Sequence, residues 1–292
     1  MASNLRDLVL KTIDLTLDVT TNGTPWDTPS VESEAGTELM AEESSTDRPS
    51  GCWPWLGAVI CAQMALQVAV EEAKGFVPAL CEDRSSYAAD LLCRGILESA
   101  SLTWWLLEPG IGSERRLARS MVYRLHTAWE LKTAIGGLGL GQTEDPSQYG
   151  ELPGEVDAAI AALGPVWTYT SKKTTQRCRG ESWQGPTVRV TGLVKHFWPQ
   201  PDIPYRTLSA VAHGELLGLS RNMRLDNSCG LRPMQGPSNA VWLWVDTYLV
   251  LGALHFTAGR AANFLGLHDQ LAALSTWAIE LDDRLPRLRP AS

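Results

Sequence analysis

The sequence lacks the short motifs that mark the commonest enzyme classes. It contains no Walker phosphate-binding loop, no Gly-x-Gly-x-x-Gly turn, no Gly-x-Ser-x-Gly nucleophile elbow and no His-Glu-x-x-His pair. The Glu-x-x-His signature of di-iron helical bundles and the aspartate-rich motifs of metal–diphosphate enzymes are also missing. The sequence therefore does not indicate any of these enzyme classes.

Cysteine is scarce, and its spacing indicates neither a metal site nor a disulfide framework. There are six cysteines in 292 residues, with no Cys-x-x-Cys and no histidine pair at zinc spacing. Cys61 and Cys93 fall within apolar helical patterns and are expected to be small core residues. The charged residues Arg6, Asp7 and Lys11 interrupt any apolar secretory segment at the N-terminus. We expect a reduced, cytoplasmic protein with no cofactor and no bound metal.

Acidic residues are concentrated in one stretch. Residues 21–50 hold seven acids against the single base Arg48, so most of the net charge of −8 lies there. The stretch is rich in Ser, Thr, Glu and Pro and poor in large apolar side chains, so it buries too little surface to offset ordering entropy. We expect a disordered acidic linker over 21–50, between an N-terminal helix over 1–20 and a single helical-bundle domain over 51–292.

Apolar residues recur at helical spacing along most of the chain, which predicts an all-α multi-helix bundle. The turn signals Glu108-Pro109-Gly110 and Gly136-Gly137 end two of the helices. Residues 13–19 also alternate, so a strand is an alternative there. Residues 166–204 are expected to be irregular, with one helical piece near 191–197. The remaining pattern predicts helices near 5–19, 54–74, 85–107, 113–135, 155–163, 205–219, 238–265 and 268–285.

Two apolar stretches, 51–70 and 239–256, approach the length of a membrane span. The first contains Gln63 and Gln67, and the second contains Asp246 and His255, all of which hydrocarbon penalises. The mean hydropathy of the chain is −0.10. We therefore expect buried central helices and no association with a membrane.

The most suggestive segment runs from Tyr205 to His213. On a helix Tyr205, Ser209 and His213 repeat every four residues, and Arg206 shares a face with His213 to within about 20°. Histidine exchanges a proton near neutral pH, and arginine holds an anionic oxygen bidentately. Together they supply the groups for phosphoester cleavage without a metal. The alternative is a core histidine satisfied by Ser209, with Arg206 paired to an acid.

Arg206, six intervening residues and His213 resemble the Arg-x(4–6)-His motif of the HEPN-domain ribonucleases. The resemblance implies a helical bundle, often dimeric, of toxin–antitoxin and antiviral defence systems, which cleaves RNA without a metal in a site shared across the dimer. Thr207 stands where that family favours Asn, Asp or His. The wider layout, with Trp104-Trp105 and His213-Gly214, is also similar to uncharacterised helical proteins of actinobacteria, a likeness that implies no activity.

The resemblance assigns roles to residues of this chain. His213 is the expected general base toward the ribose 2′-hydroxyl, Arg206 stabilises the phosphorane, and Tyr205 and Ser209 position them. The implied partners are RNA, a second copy of the chain, and an antitoxin or other cognate protein.

Basic residues cluster between 172 and 195, against Glu181 as the one acid. Such a window either forms a solvated loop or contacts phosphate. If this window guides RNA to the site, we expect its substrate contacts at Lys172, Lys173, Arg177 and Arg179.

Two further helices carry polar residues. Arg94 and Glu98 form an i,i+4 pair among apolar neighbours, so Glu98 is either a partner for the catalytic pair or part of a structural ion pair. A second set shares one face and either is solvated or lines a substrate pocket with the Tyr205 helix; it comprises Arg119, Tyr123, His126 and Glu130. His126 and Glu130 are too few ligands for a metal site.

Two other functions stay open. One is a small-molecule enzyme or binding protein with a pocket inside the bundle, lined by Glu98, Tyr123, His126, His213 and Trp residues. The other is a non-catalytic helical interaction protein in which Arg206 and His213 are satisfied core groups. The tryptophans at 104, 105, 242 and 244 are expected in the core, with stacking platforms for a base or ring as the alternative.

Overall fold

The structure of the chain is a computed structural model. It describes residues 2–22, 26–44, 54–80, 86–137, 169–172, 175–178, 181–184, 192–194, 202–213, 223–226, 230–233 and 237–290.

Helices form the core of the described chain, which confirms the all-α prediction. They are α1 (Ala2–Leu17), which continues into a π-helical turn (Asp18–Asn22), α2 (Glu34–Glu43), α3 (Pro54–Ala79), α4 (Ser86–Leu106), α5 (Gly112–Gly137), α6 (Asp202–Ala212), α7 (Pro237–Leu265), α8 (His268–Arg284) and a closing 3₁₀ turn (Pro286–Leu288).

Most boundaries agree with the periodicity of the sequence, with a few exceptions. The break after α4 falls at Glu108-Pro109-Gly110, where Gly110 has φ 70° and Gly112 has φ 74°, values that favour glycine. Helix α6 begins three residues before Tyr205 and ends at Ala212, well short of the predicted 219. The predicted helix at 155–163 lies outside the described residues.

Two small antiparallel sheets accompany the helices. The first contains β1 (Tyr169–Lys172), β2 (Thr175–Cys178) and β3 (Glu181–Gln184) and packs against α5. The second is the pair β4 (Met223–Asp226) and β5 (Gly230–Pro233). The prediction of an irregular segment is therefore wrong for residues 169–172, 175–178 and 181–184, because four-residue strands are too short to establish an alternating pattern. Residues 192–194 are helical, inside the piece predicted near 191–197.

Helices α3, α4 and α7 form the centre of the bundle. Helices α3 and α7 are apolar around most of their circumference. Each also exposes apolar side chains, Met64 on α3 and Phe256 on α7 among them. Helix α1 adds Leu5, Leu8, Val9 and Ile13 to one hydrophobic cluster, whereas α2 and α5 contribute to the other. The helical spacing of the buried α1 residues shows that the strand alternative for the N-terminus is wrong.

Helices α3 and α7 also contain stretches that length and hydropathy alone would admit to a membrane, Leu56–Ala79 and Ala240–Leu265. In each, 44% of the most apolar window is buried inside the bundle. Core helices of soluble proteins pass the same test, so the expectation of no membrane association stays a prediction.

The acidic stretch contains an ordered helix, so the prediction of disorder is wrong over residues 26–44. Ser33 caps α2, and its hydroxyl accepts a hydrogen bond from the Gly36 amide at 2.9 Å. Trp26 is buried and donates from its indole N–H to the Val19 carbonyl at 3.2 Å. Ala35 and Glu38 are buried as well.

Three arginines satisfy the carbonyls at the C-terminal end of α4. Arg119 donates to the Trp105 carbonyl at 2.5 Å, Arg116 donates to the Leu106 carbonyl, and Arg260 donates to the Leu107 carbonyl. These oxygens have no partner within the helix, and the macrodipole favours positive charge there. The helix end is therefore buried without orphaned acceptors at these three positions.

Acidic side chains neutralise this arginine cluster. Glu38 of α2 receives hydrogen bonds from the fully buried Arg116 at 2.9 and 3.1 Å, and Glu34 receives one from Arg260 at 2.6 Å. Glu108 pairs with Arg119 at 2.6 Å. Disorder was predicted because composition does not reveal that the partners of Glu34 and Glu38 lie far away in sequence.

Candidate functional site

Helix α6 presents two chemically capable side chains to solvent. Arg206 and His213 are exposed, whereas Tyr205 and Leu208 are buried on the side that packs against α4. The His213 amide donates to the Ser209 carbonyl at 3.1 Å, so helical hydrogen bonding continues to His213. The two side chains therefore share a face two turns apart, about 10 Å along the axis. Ser209, between them, is half-buried.

A hydrogen-bonded network anchors α6 to α4. The Tyr205 hydroxyl donates to Glu98 Oε1 at 2.9 Å, and Arg94 Nε donates to the same oxygen at 2.7 Å. Burial, and then the Glu98 carboxylate, raise the pKa of Tyr205 above its ordinary 10. The hydroxyl therefore stays protonated and remains a donor. This network fixes the residue next to Arg206.

A second carboxyl group extends this network on α3. Ser99 donates to Glu72 Oε2 at 3.4 Å, and the Glu98 carboxylate acts on Glu72 electrostatically. At Gly95 an added Cβ would lie 2.3 Å from Glu72 Oε1, so the absence of a side chain lets the carboxyl approach α4. Burial outweighs the Ser99 hydrogen bond and, together with Glu98, raises the pKa of Glu72 to about 7.

The network only partly agrees with the sequence analysis. The Arg94–Glu98 pair was expected. Glu98 joins this pair to α6 through the hydroxyl of Tyr205. Glu72 and Ser99 were missed. The sequence does contain a signal for Glu72, because Glu71 and Glu72 are the only acids in the otherwise apolar sequence of α3.

The Glu72 carboxyl makes stability depend on pH. Between its ordinary pKa of 4.5 and about 7, the folded chain retains a proton that the unfolded chain has released, so stability falls as pH rises through this window. We expect Glu72→Gln to exceed wild type in stability at pH 8, by on the order of 1 kcal/mol once solvent screening of this half-buried group is allowed for. Urea unfolding at pH 5 and pH 8 measures the difference.

Glu71→Gln is the matched control, because Glu71 is exposed and pairs with Lys74 on the surface. Its unfolding free energy should follow wild type at both pH values. If the unfolding free energy of Glu72→Gln changes between pH 5 and pH 8 by as much as that of wild type, the pH dependence arises from another group.

The polar face predicted on α5 is only partly described. Arg119 is buried, pairs with Glu108 and lies 5.1 Å from the centre of the Trp105 ring, so the prediction of a solvated face is wrong there. Tyr123 is half-buried against the second hydrophobic cluster. The side chains of His126 and Glu130 lie outside the described residues.

Part of the basic window lies on the three-stranded sheet. Lys172 ends β1 opposite Thr175, and Arg177 of β2 is paired with Thr170 and Ser182 on its two neighbouring strands. Lys173 and Arg179 lie outside the described residues, so the RNA-guiding role of this window stays a prediction.

The fold and the site define a helical bundle whose surface carries an arginine and a histidine on one helix, backed by a part-buried tyrosine–carboxylate network. Within the described ranges, no three His, Cys, Asp or Glu side chains are grouped as metal ligands. No protein-family model matches the chain, and no curated protein or solved structure is significantly similar to it.

Proposed function

We propose that the chain is a HEPN-like, metal-independent ribonuclease. The observation that carries the proposal is that Arg206 and His213 are both exposed on one face of α6, with the helix held from behind through Tyr205. An arginine and a histidine at this spacing are the two groups that the chemistry requires.

The reaction is an internal transfer on the RNA strand. His213 removes the proton of a ribose 2′-hydroxyl, and the 2′-oxygen attacks the adjacent phosphorus. The bond from phosphorus to the 5′-oxygen breaks, and that oxygen takes a proton from solvent water as it leaves, while the protonated His213 returns its proton to solvent. Arg206 holds the nonbridging oxygens while negative charge accumulates on the phosphorane. The products are a 2′,3′-cyclic phosphate and a 5′-hydroxyl.

The anchoring of α6 supports this assignment. Catalytic groups act efficiently when rigid elements hold them in place. Tyr205 bonds to Glu98, and Leu208 is fully buried in the core, so the backbone that carries Arg206 is fixed on its inner side. Ser209 lies on the same helix, half-buried between the two exposed groups.

The two alternatives receive less support from the described residues. A scaffold role assumed that Arg206 and His213 are satisfied inside the core, but both are exposed. A central pocket assumed that Glu98 and Tyr123 converge on one cavity. Glu98 is instead engaged by Tyr205 and Arg94, and Tyr123 packs against a different hydrophobic cluster.

The decisive test compares wild type with His213→Ala on RNA in the presence of EDTA. Wild type should cleave single-stranded RNA to fragments with 2′,3′-cyclic phosphate ends and leave the matching DNA intact, because DNA has no 2′-hydroxyl. His213→Ala should be folded and inactive. Expressed from a tightly controlled promoter, only wild type should arrest host growth and degrade cellular RNA.

His268→Ala is the matched control, because His268 is an exposed histidine on α8. It should cleave RNA as wild type does. RNA that stays intact with purified wild type, or cleavage that survives in His213→Ala, would overturn the proposal. A homodimeric site and a cognate antitoxin follow from the resemblance and remain predictions.

A further inference from the structure

A groove of about 560 Å³ lies between α7, α8 and the closing 3₁₀ turn. Three aromatic side chains of α7 line one wall: Trp244 and Tyr248 stack with ring centres 5.8 Å apart and planes at 21°, and Phe256 lies further along the helix. None of the residues of the ribonuclease site line it. The groove is therefore a separate feature of the molecule.

Two of the aromatic side chains on this wall are exposed to solvent. Tyr248 is 51% exposed and Phe256 is 57% exposed. The Trp244 indole N–H donates to the Leu285 carbonyl at 3.1 Å, which fixes the orientation of the ring. Exposed aromatic rings beside an indole of fixed orientation are suited to stacking against a planar ring.

Polar groups occupy defined positions in the groove. His255 Nδ1 is buried and has no hydrogen-bond partner among the described residues, and Asp282 acts on the same imidazole. Burial lowers the pKa of His255 and Asp282 only partly opposes this, so the ring is neutral at pH 7. A neutral imidazole and a carboxylate can form hydrogen bonds with the edge of a heterocycle.

A cation stands at the exposed rim. The Arg289 guanidinium lies 5.8 Å from the centre of the Trp244 ring, and the side chain is exposed to solvent. The groove thus has a stacking wall, a hydrogen-bonding side at His255 and Asp282, and a positive group at one end. The ligand that complements all three is a flat heterocycle with N–H donors and an anionic tail.

We propose that this groove binds a purine mononucleotide. The base stacks against the aromatic wall, its N–H groups face His255 and Asp282, and its phosphate contacts Arg289. Arginine is well suited to phosphate because its planar donors match the oxygens bidentately. The groove volume also admits a ligand of this size.

Isothermal titration of the full chain with GMP and with AMP tests the proposal. We expect at least one of them to bind. Ribose 5-phosphate lacks the base and indole lacks the phosphate, so each should bind at least tenfold more weakly. Phe256→Ala should weaken nucleotide binding about tenfold or more through lost stacking. Arg289→Ala should weaken binding of the nucleotide and leave binding of the corresponding nucleoside unchanged.

Ile279→Ala is the control, since Ile279 is an apolar residue of α8 that is 73% exposed and does not line the groove. Absence of binding by both nucleotides would overturn the proposal, as would indole that binds as tightly as the nucleotide. Equal losses in Ile279→Ala and Phe256→Ala would do so too. Binding is independent of RNA cleavage, so this test and the ribonuclease test fail separately.

Discussion

Arg206→Ala should slow RNA cleavage by about 10²–10³-fold, the usual cost of removing one group that stabilises charge in a transition state. The unfolding free energy should change by less than about 1 kcal/mol, because the side chain is exposed and surface interactions are weak. Single-turnover cleavage rates and urea unfolding on the same preparations measure the two quantities.

Two further variants test the role of Arg206: the conservative replacement Arg206→Lys and the control Arg287→Ala. Lysine keeps the charge but loses the planar pair of donors, so Arg206→Lys should recover only part of the rate. Arg287 is an exposed arginine outside α6, paired with Asp283, and its removal should leave cleavage unchanged. Cleavage by Arg206→Ala at the wild-type rate would remove Arg206 from the mechanism. A stability loss of several kcal/mol would instead indicate a structural role.

Arg116→Met should lower the free energy of unfolding by about 3–5 kcal/mol, as expected when one partner of a buried ion pair is removed. Arg116 is fully buried, and its loss removes two hydrogen bonds from the Glu38 carboxylate and one from the Leu106 carbonyl. It also removes a guanidinium that lies 4.4 Å from the centre of the Phe264 ring. Chemical denaturation measures the loss.

Arg115→Met is the matched control, because the neighbouring Arg115 is exposed. We expect its unfolding free energy to stay within about 1 kcal/mol of wild type. The double variant Arg116→Met with Glu38→Leu should regain part of the loss, since it removes both charges of the Arg116–Glu38 pair together. A single Arg116→Met variant as stable as wild type would show that the cluster does not hold α2 in place.

The candidate site was predictable only where its contacts are local. Arg94 and Glu98 are one helical turn apart, so their pairing follows from spacing. The shared face of Arg206 and His213 follows from helical periodicity in the same way. The Tyr205–Glu98 bond spans 107 residues, and no local pattern specifies it. Glu72 joins the network across two helices for the same reason.

The sequence by itself determined where most helices form, because apolar periodicity and turn residues act over a few neighbouring positions. It placed the break at Glu108-Pro109-Gly110 and the helical spacing of the apolar residues on α1. Only the tertiary structure decided that part of the acidic stretch is ordered. Glu38 and Glu34 meet arginines 78 and 226 residues away, and this compensation of buried charge depends on how the helices pack.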